Sequence, residues 1–452
     1  MRTRTAAVEI LNSLHKQPSD FETRVSEYVS TIEFSQEDRD FIYALVKGVI
    51  QYRRLLDYVL DFSLNRQFSQ IEITAIHLLR IGAFQFVVLK TPPHALVYET
   101  VEAAKELKRP DLVPLINAVL RNLPDETNWR KSLTRITDEV ERLGIEFSHP
   151  DWLVKRWIAN FSMESTRRIL EFDNSYQPIC FRHNPIRFSW SMTEERLTRQ
   201  KQAVKVISEK PIHFFSVSRP GILLKSDFFK EGGCSVQDYN QALAVQLLSP
   251  KEGETIVDVC AAPGGKTTLI AQLTGNHSAV HASDVSEQKM SLVKNECARL
   301  GIESINYRVA DASRDEFPEA DKVLIDAPCT GTGVLSRRAD LRWNRTAHHM
   351  KQVRRLQIGI LENMAKFVRI GGTLVYSTCS LEPEENWEVV REFLAGHPEY
   401  SVQPAQKWVD RTYCDDSGAV QIFPHKHGLT GSFAVRLNRT SSGALQEKRI
   451  AI

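Results

Sequence analysis

The chain has 452 residues, of which 42% are hydrophobic and 25% charged, and its formal net charge is +2. This length exceeds what one hydrophobic core usually organises, so we expect a multidomain protein of ordinary globular composition. Residues 1–10 contain Arg2, Arg4 and Glu9 and are followed by no apolar run, so we expect neither a secretory signal nor a membrane span, and a cytoplasmic location.

Apolar residues recur at spacings of three and four over residues 1–145, which predicts an all-α domain. Prolines interrupt this pattern at three places: residues 17–19, 91–93 and 109–110. Proline cannot continue a helical turn, so we expect helices to be separated there. Residues 148–152 predict a joint, in which Pro150 stops regular structure and Asp151 caps the next helix.

Residues 146–230 predict linker helices and a small α+β module. Short β-prone runs lie at residues 179–181 and 221–224, on either side of a helical stretch rich in Arg and Lys. We therefore expect a second, small domain between the helical domain and the rest of the chain.

Residues 231–438 predict an α/β domain of Rossmann-like type, because strands and helices alternate as in a doubly wound parallel sheet. The predicted strands are residues 255–259, 279–282, 322–325 and 373–376, and the clearest helices are residues 286–300 and 349–368. Residues 439–452 lack an apolar pattern and are expected to form a disordered tail.

Two segments are basic although the whole chain is nearly neutral. Lys and Arg outnumber Asp and Glu by 14 to 8 in residues 151–230 and by 9 to 2 in residues 336–369. Each run alone is as consistent with solvated helix faces as with a phosphate-binding surface. Their position beside the motifs described next favours nucleic-acid binding.

A segment rich in small residues follows the strand predicted at residues 255–259 and opens a helix. It consists of Cys260, Ala261, Ala262, Pro263, Gly264, Gly265 and Lys266. Small residues let a ligand approach the backbone at the carboxyl end of the strand. A phosphate-binding P-loop needs glycine where Cys260 stands, and the dinucleotide fingerprint needs glycine where Thr268 stands, so both motifs are disfavoured.

Two acidic residues follow this segment at the ends of later strands. Asp284 suits a bidentate hold on ribose hydroxyls, which indicates a cofactor that carries a nucleoside. Taken singly, Asp284 and Asp311 are better explained as turn caps or surface carboxylates than as cofactor ligands, since Asp is common at strand ends and turns. Their order after the glycine-rich segment favours a cofactor site.

The seven cysteines form no CxxC pair, so we expect neither a zinc site nor a disulfide framework. Cys329 and Cys379 each come directly after a predicted strand, so both should lie at the rim where a ligand binds. An isolated cysteine is more commonly a small buried residue, which is our interpretation of Cys180, Cys260 and Cys297. The sequence assigns no role to Cys234 and Cys414.

Four motifs in order resemble those of the RNA cytosine-5 methyltransferases, specifically the bacterial 16S rRNA enzymes of the Sun/Fmu type. They are residues 233–238, 258–267, 326–329 and 377–380. Residues 79–85 and 117–122 are similar to the antitermination factor NusB, so the resemblance covers nearly the whole chain and favours ribosomal over transfer RNA. Residues 423–433 depart from the family, because they lack its acidic Gly-Asp-Gly-Phe-Phe pattern.

The resemblance implies S-adenosylmethionine as cofactor, in contact with residues 260–266, Asp284, Asp311 and Asp326. It also implies that Cys379 is the nucleophile and that Cys329 helps to release the product. DNA cytosine methyltransferases attack with the Pro-Cys thiol instead, so spacing alone leaves that choice open. We expect 16S rRNA of the small ribosomal subunit as partner, no DNA or membrane partner, and a monomer.

Carbon 5 of cytosine is a poor nucleophile, and a thiolate that adds to carbon 6 makes it reactive. An ordinary thiol has a pKa of about 8.5, so the site must favour the thiolate. An acid near ring nitrogen 3 would stabilise the adduct, and Asp326 is our candidate. Two alternatives stay open: a noncatalytic RNA-binding or antitermination factor with a vestigial methyltransferase domain, and a transfer-RNA cytosine-5 methyltransferase.

Overall fold

The structure is a computed structural model that describes residues 3–17 and 20–441. The tail predicted over residues 439–452 lies outside the described residues from residue 442 onwards. The chain forms two compact units. The first comprises the chain up to Ser175 together with Arg337–Asn344, and the second comprises Tyr176–Ser336 and the chain from Arg345.

The bounds of the regular elements follow in chain order. The helices are α1 (Thr3–Lys16), α2 (Phe21–Ser30), α3 (Gln36–Asp61), α4 (Ile73–Val87), α5 (Pro93–Glu106), α6 (Val113–Leu120), α7 (Glu126–Leu133), α8 (Glu139–Glu146), α9 (Asp151–Phe161), α10 (Met163–Asn174), α11 (Trp190–Arg199), α12 (Pro220–Lys225), α13 (Asp227–Lys230), α14 (Tyr239–Leu248), α15 (Gly265–Leu273), α16 (Glu287–Leu300), α17 (Leu341–Asn344), α18 (Ala347–Ala365), α19 (Trp387–Gly396) and α20 (Pro424–His427). The strands are β1 (Phe181–His183), β2 (Val204–Ser208), β3 (Phe214–Val217), β4 (Cys234–Val236), β5 (Thr255–Val259), β6 (Ala279–Asp284), β7 (Ile305–Val309), β8 (Ala320–Asp326), β9 (Val368–Thr378), β10 (Tyr400–Gln403), β11 (Val420–Ile422) and β12 (Ser432–Arg439).

The first unit is helical, as the apolar spacing predicts. Helix α4 is mostly apolar and is buried along most of its length, with α1, α3, α5 and α6 packed around it. Two of the predicted breaks are confirmed, since α5 begins at Pro93 and a 3₁₀ turn covers Pro110–Leu112. The third break falls partly on residues 18–19, outside the described part. Asp151 is the first residue of α9 and not its cap, because Pro150 occupies the N-cap position.

The short segment Arg337–Asn344 belongs to this first unit and carries a buried charge. The guanidinium of Arg342 is fully buried and donates to Gln51 O at 3.2 Å, Ser148 O at 3.2 Å and Asn174 Oδ1 at 3.0 Å. These acceptors compensate the cost of removing the charge from water. The basic run of residues 336–369 is therefore no single solvated surface, since part of it is structural.

The second unit contains a small four-stranded antiparallel sheet in the order β2-β3-β1-β4. The prediction of a strand at residues 221–224 is wrong, because Pro220 starts a helical turn there and α12 covers these residues. The sequence analysis missed β2 and β3, of which β2 is a largely solvent-facing edge strand. Helices α9 and α10 group with the first unit, and our domain boundaries at residues 145, 230 and 438 remain predictions.

The large sheet has the order β10-β12-β9-β8-β5-β6-β7, and β11 pairs with β12. Strands β9, β8, β5, β6 and β7 run parallel, as the alternating pattern predicts. Strands β10, β11 and β12 are antiparallel additions at one end, so the sheet is mixed. From β5 the chain continues to β6 and β7 on one side and then to β8 on the other. This reversal is a topological switch point, where open α/β sheets bind ligands.

None of the helices in the described part of the chain has the length and hydrophobicity that a membrane span requires.

Candidate active site

The carboxyl ends of the parallel strands bring the sequence-predicted site residues to one edge of the large sheet. Residues 260–266, called the glycine loop below, follow β5 directly. Asp284 ends β6, Asp326 ends β8, and Cys379 follows β9. Since β9, β8, β5 and β6 are neighbours in that order, these side chains lie along one continuous rim.

The glycine loop makes a tight turn between β5 and α15. Cys260 has a φ of 60° and Gly264 a φ of 108°, and the Gly264 N–H donates to Ala261 O at 2.8 Å. A Cβ at Gly264 would lie 3.2 Å from Val293 Cα, and side chains rarely adopt this backbone conformation. Glycine is therefore required at position 264 for the loop to pass so close to α16.

Lys266 links the glycine loop to the neighbouring strand β8. Its ammonium is buried and lies 2.6 Å from Asp326 Oδ2 and 2.6 Å from Gln241 Oε1. The other oxygen of Asp326 accepts from Ser377 Oγ at 3.0 Å, and Ser377 lies on β9. The Asp326 carboxylate thus joins the glycine loop, β8 and β9.

Two further carboxylates lie beside the glycine loop. Asp284 is buried, its Oδ2 accepts from Ala262 N at 3.4 Å, and Lys289 Nζ lies 3.6 Å from Oδ1. Asp258 is fully buried on β5, where Oδ2 accepts from Thr267 Oγ1 at 2.6 Å and Oδ1 has no partner among the described residues. Burial raises the pKa of Asp258 to about 7.

Asp311 lies two residues after β7, at the far end of the same edge. Its Oδ1 accepts from Ser313 N at 3.0 Å and Ser313 Oγ at 2.6 Å, and its Oδ2 lies 3.1 Å from Arg314 Nε. These hydrogen bonds with Ser313 lower the pKa of Asp311. The carboxylate therefore caps its own turn, which is the alternative that the sequence analysis left open.

Cys329 and Cys379, the thiol pair, meet at this edge although 49 residues lie between them in the chain. Their Sγ atoms are 3.1 Å apart, and both side chains are half-buried. The hydrogen bond with Cys379, burial and the nearby carboxylate of Glu385 raise the pKa of Cys329 well above its ordinary value. Both side chains are thus partly exposed, and the surroundings of Cys329 favour its protonated form.

The loop before β12 supports the thiol pair, although its sequence departs from the family pattern. The Gly431 N–H donates to Gly333 O at 2.7 Å, and the Gly333 N–H donates to Cys379 O at 3.0 Å. A Cβ on Gly333 would lie 2.7 Å from Gly431 O, so the two glycines permit this close approach. Thr430 Oγ1 lies 3.1 Å from Asn240 Oδ1, which holds the loop against α14.

The other five cysteines lie away from this pair. Cys180 and Cys297 are buried, as predicted, and burial raises the pKa of Cys297 to about 11. Cys260 was also predicted to be buried, but it is only half-buried, because it opens the turn of the glycine loop. Cys234 is buried and Cys414 half-buried.

Comparison with known proteins decides the family. The family described as 16S rRNA methyltransferase RsmB/F matches residues 245–438, and its ferredoxin-like domain matches residues 149–211. The NusB family matches residues 1–125. The ribosomal RNA small subunit methyltransferase B of Salmonella paratyphi B is 32% identical over 81% of this chain and 84% of its own length. The chain belongs to the RsmB/F methyltransferase family.

One more relative and one solved structure are similar to this chain over nearly its whole length. The "probable ribosomal RNA small subunit methyltransferase B" of Bacillus subtilis is 31% identical over 96% of this chain and 98% of its own length. The crystal structure of PH0851 is 25% identical with a TM-score of 0.82, over 97% of this chain and 99% of that chain. The predicted fold class is therefore confirmed: a NusB-like helical domain, a small α+β domain and a Rossmann-like methyltransferase domain.

The sequence analysis missed two residues that support the site of this RsmB/F chain. Glu385 lies beside the thiol pair and is described below. Arg182, on β1, is fully buried and donates to Gly265 O at 2.6 Å and Thr268 Oγ1 at 2.8 Å. Burial lowers its pKa to about 9. An arginine directly after the apolar run at residues 179–181 was the available signal, but sequence does not say which backbone it contacts.

The groups beside the glycine loop fit a cofactor that joins a nucleoside to an amino acid. The buried Asp284 carboxylate has one long backbone contact and one long lysine contact, which leaves it able to accept from ribose hydroxyls. The unpartnered Oδ1 of Asp258 is a buried acceptor that suits an ammonium group. Both lie beside the glycine loop at the switch point of the sheet.

Proposed function

We propose that this chain uses S-adenosylmethionine to form 5-methylcytosine in 16S rRNA, through a covalent bond between Cys379 and carbon 6 of the base. One observation carries the proposal: a thiol pair with a 3.1 Å Sγ separation lies at the ligand-binding edge of a methyltransferase fold. The contacts of Ser377, Asp326 and Lys266 connect this pair to the glycine loop.

The family and the relatives support the substrate class. The family description names 16S rRNA, and the two bacterial relatives are named for the ribosomal RNA of the small subunit. The second unit also offers cationic side chains to phosphates. An open cavity of about 570 Å³ in that unit is lined in part by Arg196, Arg199 and Lys225.

Residues of the glycine loop, Asp284 and Asp258 would hold the cofactor, which supplies an electrophilic methyl group when bound. Asp284 would accept from the ribose hydroxyls, and Asp258 would face the amino group. Asp311 would contribute only after releasing its own turn, because both of its oxygens have local partners. We therefore assign Asp311 the weakest share of cofactor binding.

Cys379 is the proposed nucleophile because residues 377–380 resemble the Thr-Cys motif of the family, whose cysteine attacks the base. The raised pKa of Cys329 keeps its proton on sulfur, so this thiol can donate a hydrogen bond to a thiolate at Cys379. Such a donor stabilises the attacking thiolate before the addition to carbon 6. After methyl transfer, water acting as a base takes the proton from carbon 5 and the bond between carbon 6 and the Cys379 sulfur breaks. The Cys329 thiol then stabilises the departing thiolate, which gives Cys329 its role in product release.

Asp326 is the proposed acid at ring nitrogen 3. Addition of sulfur to carbon 6 places negative charge on that nitrogen, which then takes up a proton. Lys266 and Ser377 both donate to the Asp326 carboxyl group, so a proton that Asp326 passes to the ring nitrogen is replaced from the Lys266 ammonium. The target base must leave its stack to reach this edge of the sheet.

The test is to trap the adduct. Cys329→Ala enzyme incubated with 16S rRNA and S-adenosylmethionine should accumulate a protein–RNA complex that survives denaturing electrophoresis, because the departing thiolate has lost its donor. The Cys329→Ala/Cys379→Ala double variant should form none, and Cys414→Ala should behave like the unmodified enzyme. Absence of the complex from Cys329→Ala enzyme would count against the covalent mechanism.

Two alternatives make different predictions in a methyl-transfer assay. A noncatalytic RNA-binding factor would transfer no labelled methyl group to deproteinised small-subunit rRNA. A transfer-RNA enzyme would label transfer RNA in preference to rRNA under the same conditions. We expect label in the rRNA, at carbon 5 of a cytosine.

A further inference from the structure

We propose that Glu385 is the positioning residue of the thiol pair: its carboxylate joins the two cysteine loops and fixes the separation of their sulfur atoms. The catalytic meaning of this role rests on the proposed function. The geometric role itself does not, because it concerns only the distance between two side chains of this chain.

One carboxylate contacts the residue that follows each thiol. Its Oε2 accepts from the backbone N–H of Thr330, next to Cys329, at 2.8 Å. Its Oε1 accepts from Ser380 Oγ, next to Cys379, at 2.7 Å, and from Thr330 Oγ1. Glu385 therefore connects the loop after β8 to the loop after β9 within one residue of each sulfur.

A third element completes this connection. Gln357, on α18, donates through Nε2 to Glu385 Oε2 at 3.1 Å and to Pro328 O at 2.9 Å. Cys329 thus lies between two anchored backbone groups, the carbonyl before it and the N–H after it. Displacement of either group would move the Cys329 sulfur.

The backbone of Glu385 is also held in place. Glu385 is fully buried, and its backbone carbonyl accepts from Tyr376 Oη at 2.7 Å on β9. Burial raises the pKa of Glu385, whereas the hydrogen bonds from Thr330, Ser380 and Gln357 lower it. All these contacts donate to the carboxylate, which is the arrangement that an ionised acid requires.

The charge of Glu385 also separates the two thiols chemically. It adds to the hydrogen bond with Cys379 and to burial in raising the pKa of Cys329. The same residue therefore holds the sulfurs together and helps keep the proton on Cys329.

Two substitutions distinguish the effect of the length of the Glu385 side chain from the effect of its charge. Glu385→Asp keeps the charge but draws the carboxylate back by about 1.5 Å, so it cannot contact both loops. Glu385→Gln keeps the length, and its amide oxygen can still accept from Thr330 N and Gln357 Nε2. The amide nitrogen would face the hydroxyls of Thr330 and Ser380, which can rotate to accept from it. Glu388→Gln removes an exposed carboxylate nearby and is the matched control.

The rate at which the two thiols form a disulfide reports how closely their sulfurs are held. This rate is measured without RNA or S-adenosylmethionine. A diazene oxidant such as diamide takes up the two thiol hydrogens and is reduced to the hydrazine, while Cys329 and Cys379 form a disulfide. The rate is followed in the full-length protein by mass spectrometry of the linked peptides. We expect Glu385→Asp to slow this reaction by about tenfold or more, because the sulfurs no longer meet in one orientation.

Glu385→Gln should stay within about threefold of the unmodified rate, and Glu388→Gln should match it. In methyl transfer, Glu385→Asp should lower kcat by a similar factor while the KM for S-adenosylmethionine changes by less than about threefold. A Glu385→Asp protein that oxidises at the unmodified rate would overturn the proposal, as would a Glu385→Gln protein as slow as Glu385→Asp. If oxidation responds as expected but no variant transfers methyl groups, the positioning role stands and the proposed function fails.

Discussion

The glycine loop and the thiol pair lie on the same edge of one sheet, but the buried carboxylates beside them differ in the number of hydrogen bonds that they accept. Asp258, beside the glycine loop, has one donor and an oxygen without a partner in the described part of the chain. Glu385, beside the thiols, receives hydrogen bonds from three different segments. The first region leaves a buried acceptor without a hydrogen-bond donor, whereas the second uses its acceptors to fix a distance.

This difference separates binding from chemistry. A site that must accept and release a cofactor benefits from acceptors that the protein leaves unfilled. A site that forms a bond to carbon benefits from reacting atoms held within a fraction of an ångström. Substitutions in the two regions should therefore affect different measurements.

The largest effect should come from the thiol side. Cys379→Ala removes the nucleophile and should lower methyl transfer by about 10⁴-fold or more, while S-adenosylmethionine binding by calorimetry stays within about threefold. Cys414→Ala, a half-buried thiol in another loop, is the control and should retain full activity. Residual transfer above about 1% in Cys379→Ala would contradict its role as nucleophile.

The sequence predicted which residues lie at this edge of the sheet, but it did not predict the residues that hold them in place. Residues 260–266, Asp284 and Asp326 each follow an apolar run, and parallel strands bring such ends together whatever the tertiary detail. The strands β5 and β8 and the helix α16 form close to the predicted bounds for the same reason. Periodicity and the ends of elements are local properties, and sequence carries them directly.

The missed features depend on contacts between distant parts of the chain. Glu385 follows Cys379 by six residues, but its partners Thr330 and Gln357 lie on other segments. Arg182 reaches the glycine loop from a different sheet. The misassigned run at residues 221–224 is short and apolar, so a strand and a helical turn begun by proline have the same sequence pattern.

A second prediction concerns Arg182, which contacts the glycine loop from the small sheet. Arg182→Met should lower the free energy of unfolding by about 3 kcal/mol, because buried acceptors at Gly265 and Thr268 lose a charged donor. Urea unfolding measures this loss, with the exposed Arg199→Met as the control. Arg182 contacts the glycine loop and not the thiol pair. The rate at which Cys329 and Cys379 oxidise to a disulfide should therefore be unaffected under native conditions. A slowed oxidation would show that the two regions are not separate.

A third substitution tests cofactor binding alone. Asp284→Ala should raise the KM for S-adenosylmethionine by about 10- to 100-fold, which corresponds to the loss of hydrogen bonds to a charged group. The oxidation rate of the thiol pair should not change. Asp311→Ala should raise this KM by less than about threefold, because its carboxylate already has partners in its own turn. Equal effects of the two substitutions would restore Asp311 to the cofactor site.

The smallest effect concerns Asp258, whose buried carboxylate has one oxygen without a partner in the described part of the chain. It appears as a dependence of stability on pH. Its pKa is raised from an ordinary value of 3.8 to about 7 in the folded chain. Between these values the folded state binds more protons than the unfolded state, so stability falls as the pH rises. Asp258→Asn cannot ionise, and Thr267 can still donate to its amide oxygen.

The variant should therefore gain stability relative to the unmodified protein as the pH rises from 5 to 7, on the order of 1 kcal/mol by urea unfolding. The comparison isolates one residue, because all other titrating groups are common to both proteins. Glu385→Gln should give a smaller gain over the same range, since the donors to Glu385 oppose the effect of its burial. Parallel stability curves for Asp258→Asn and the unmodified protein would mean that Asp258 is compensated as fully as Glu385, and the contrast between the two regions would not hold.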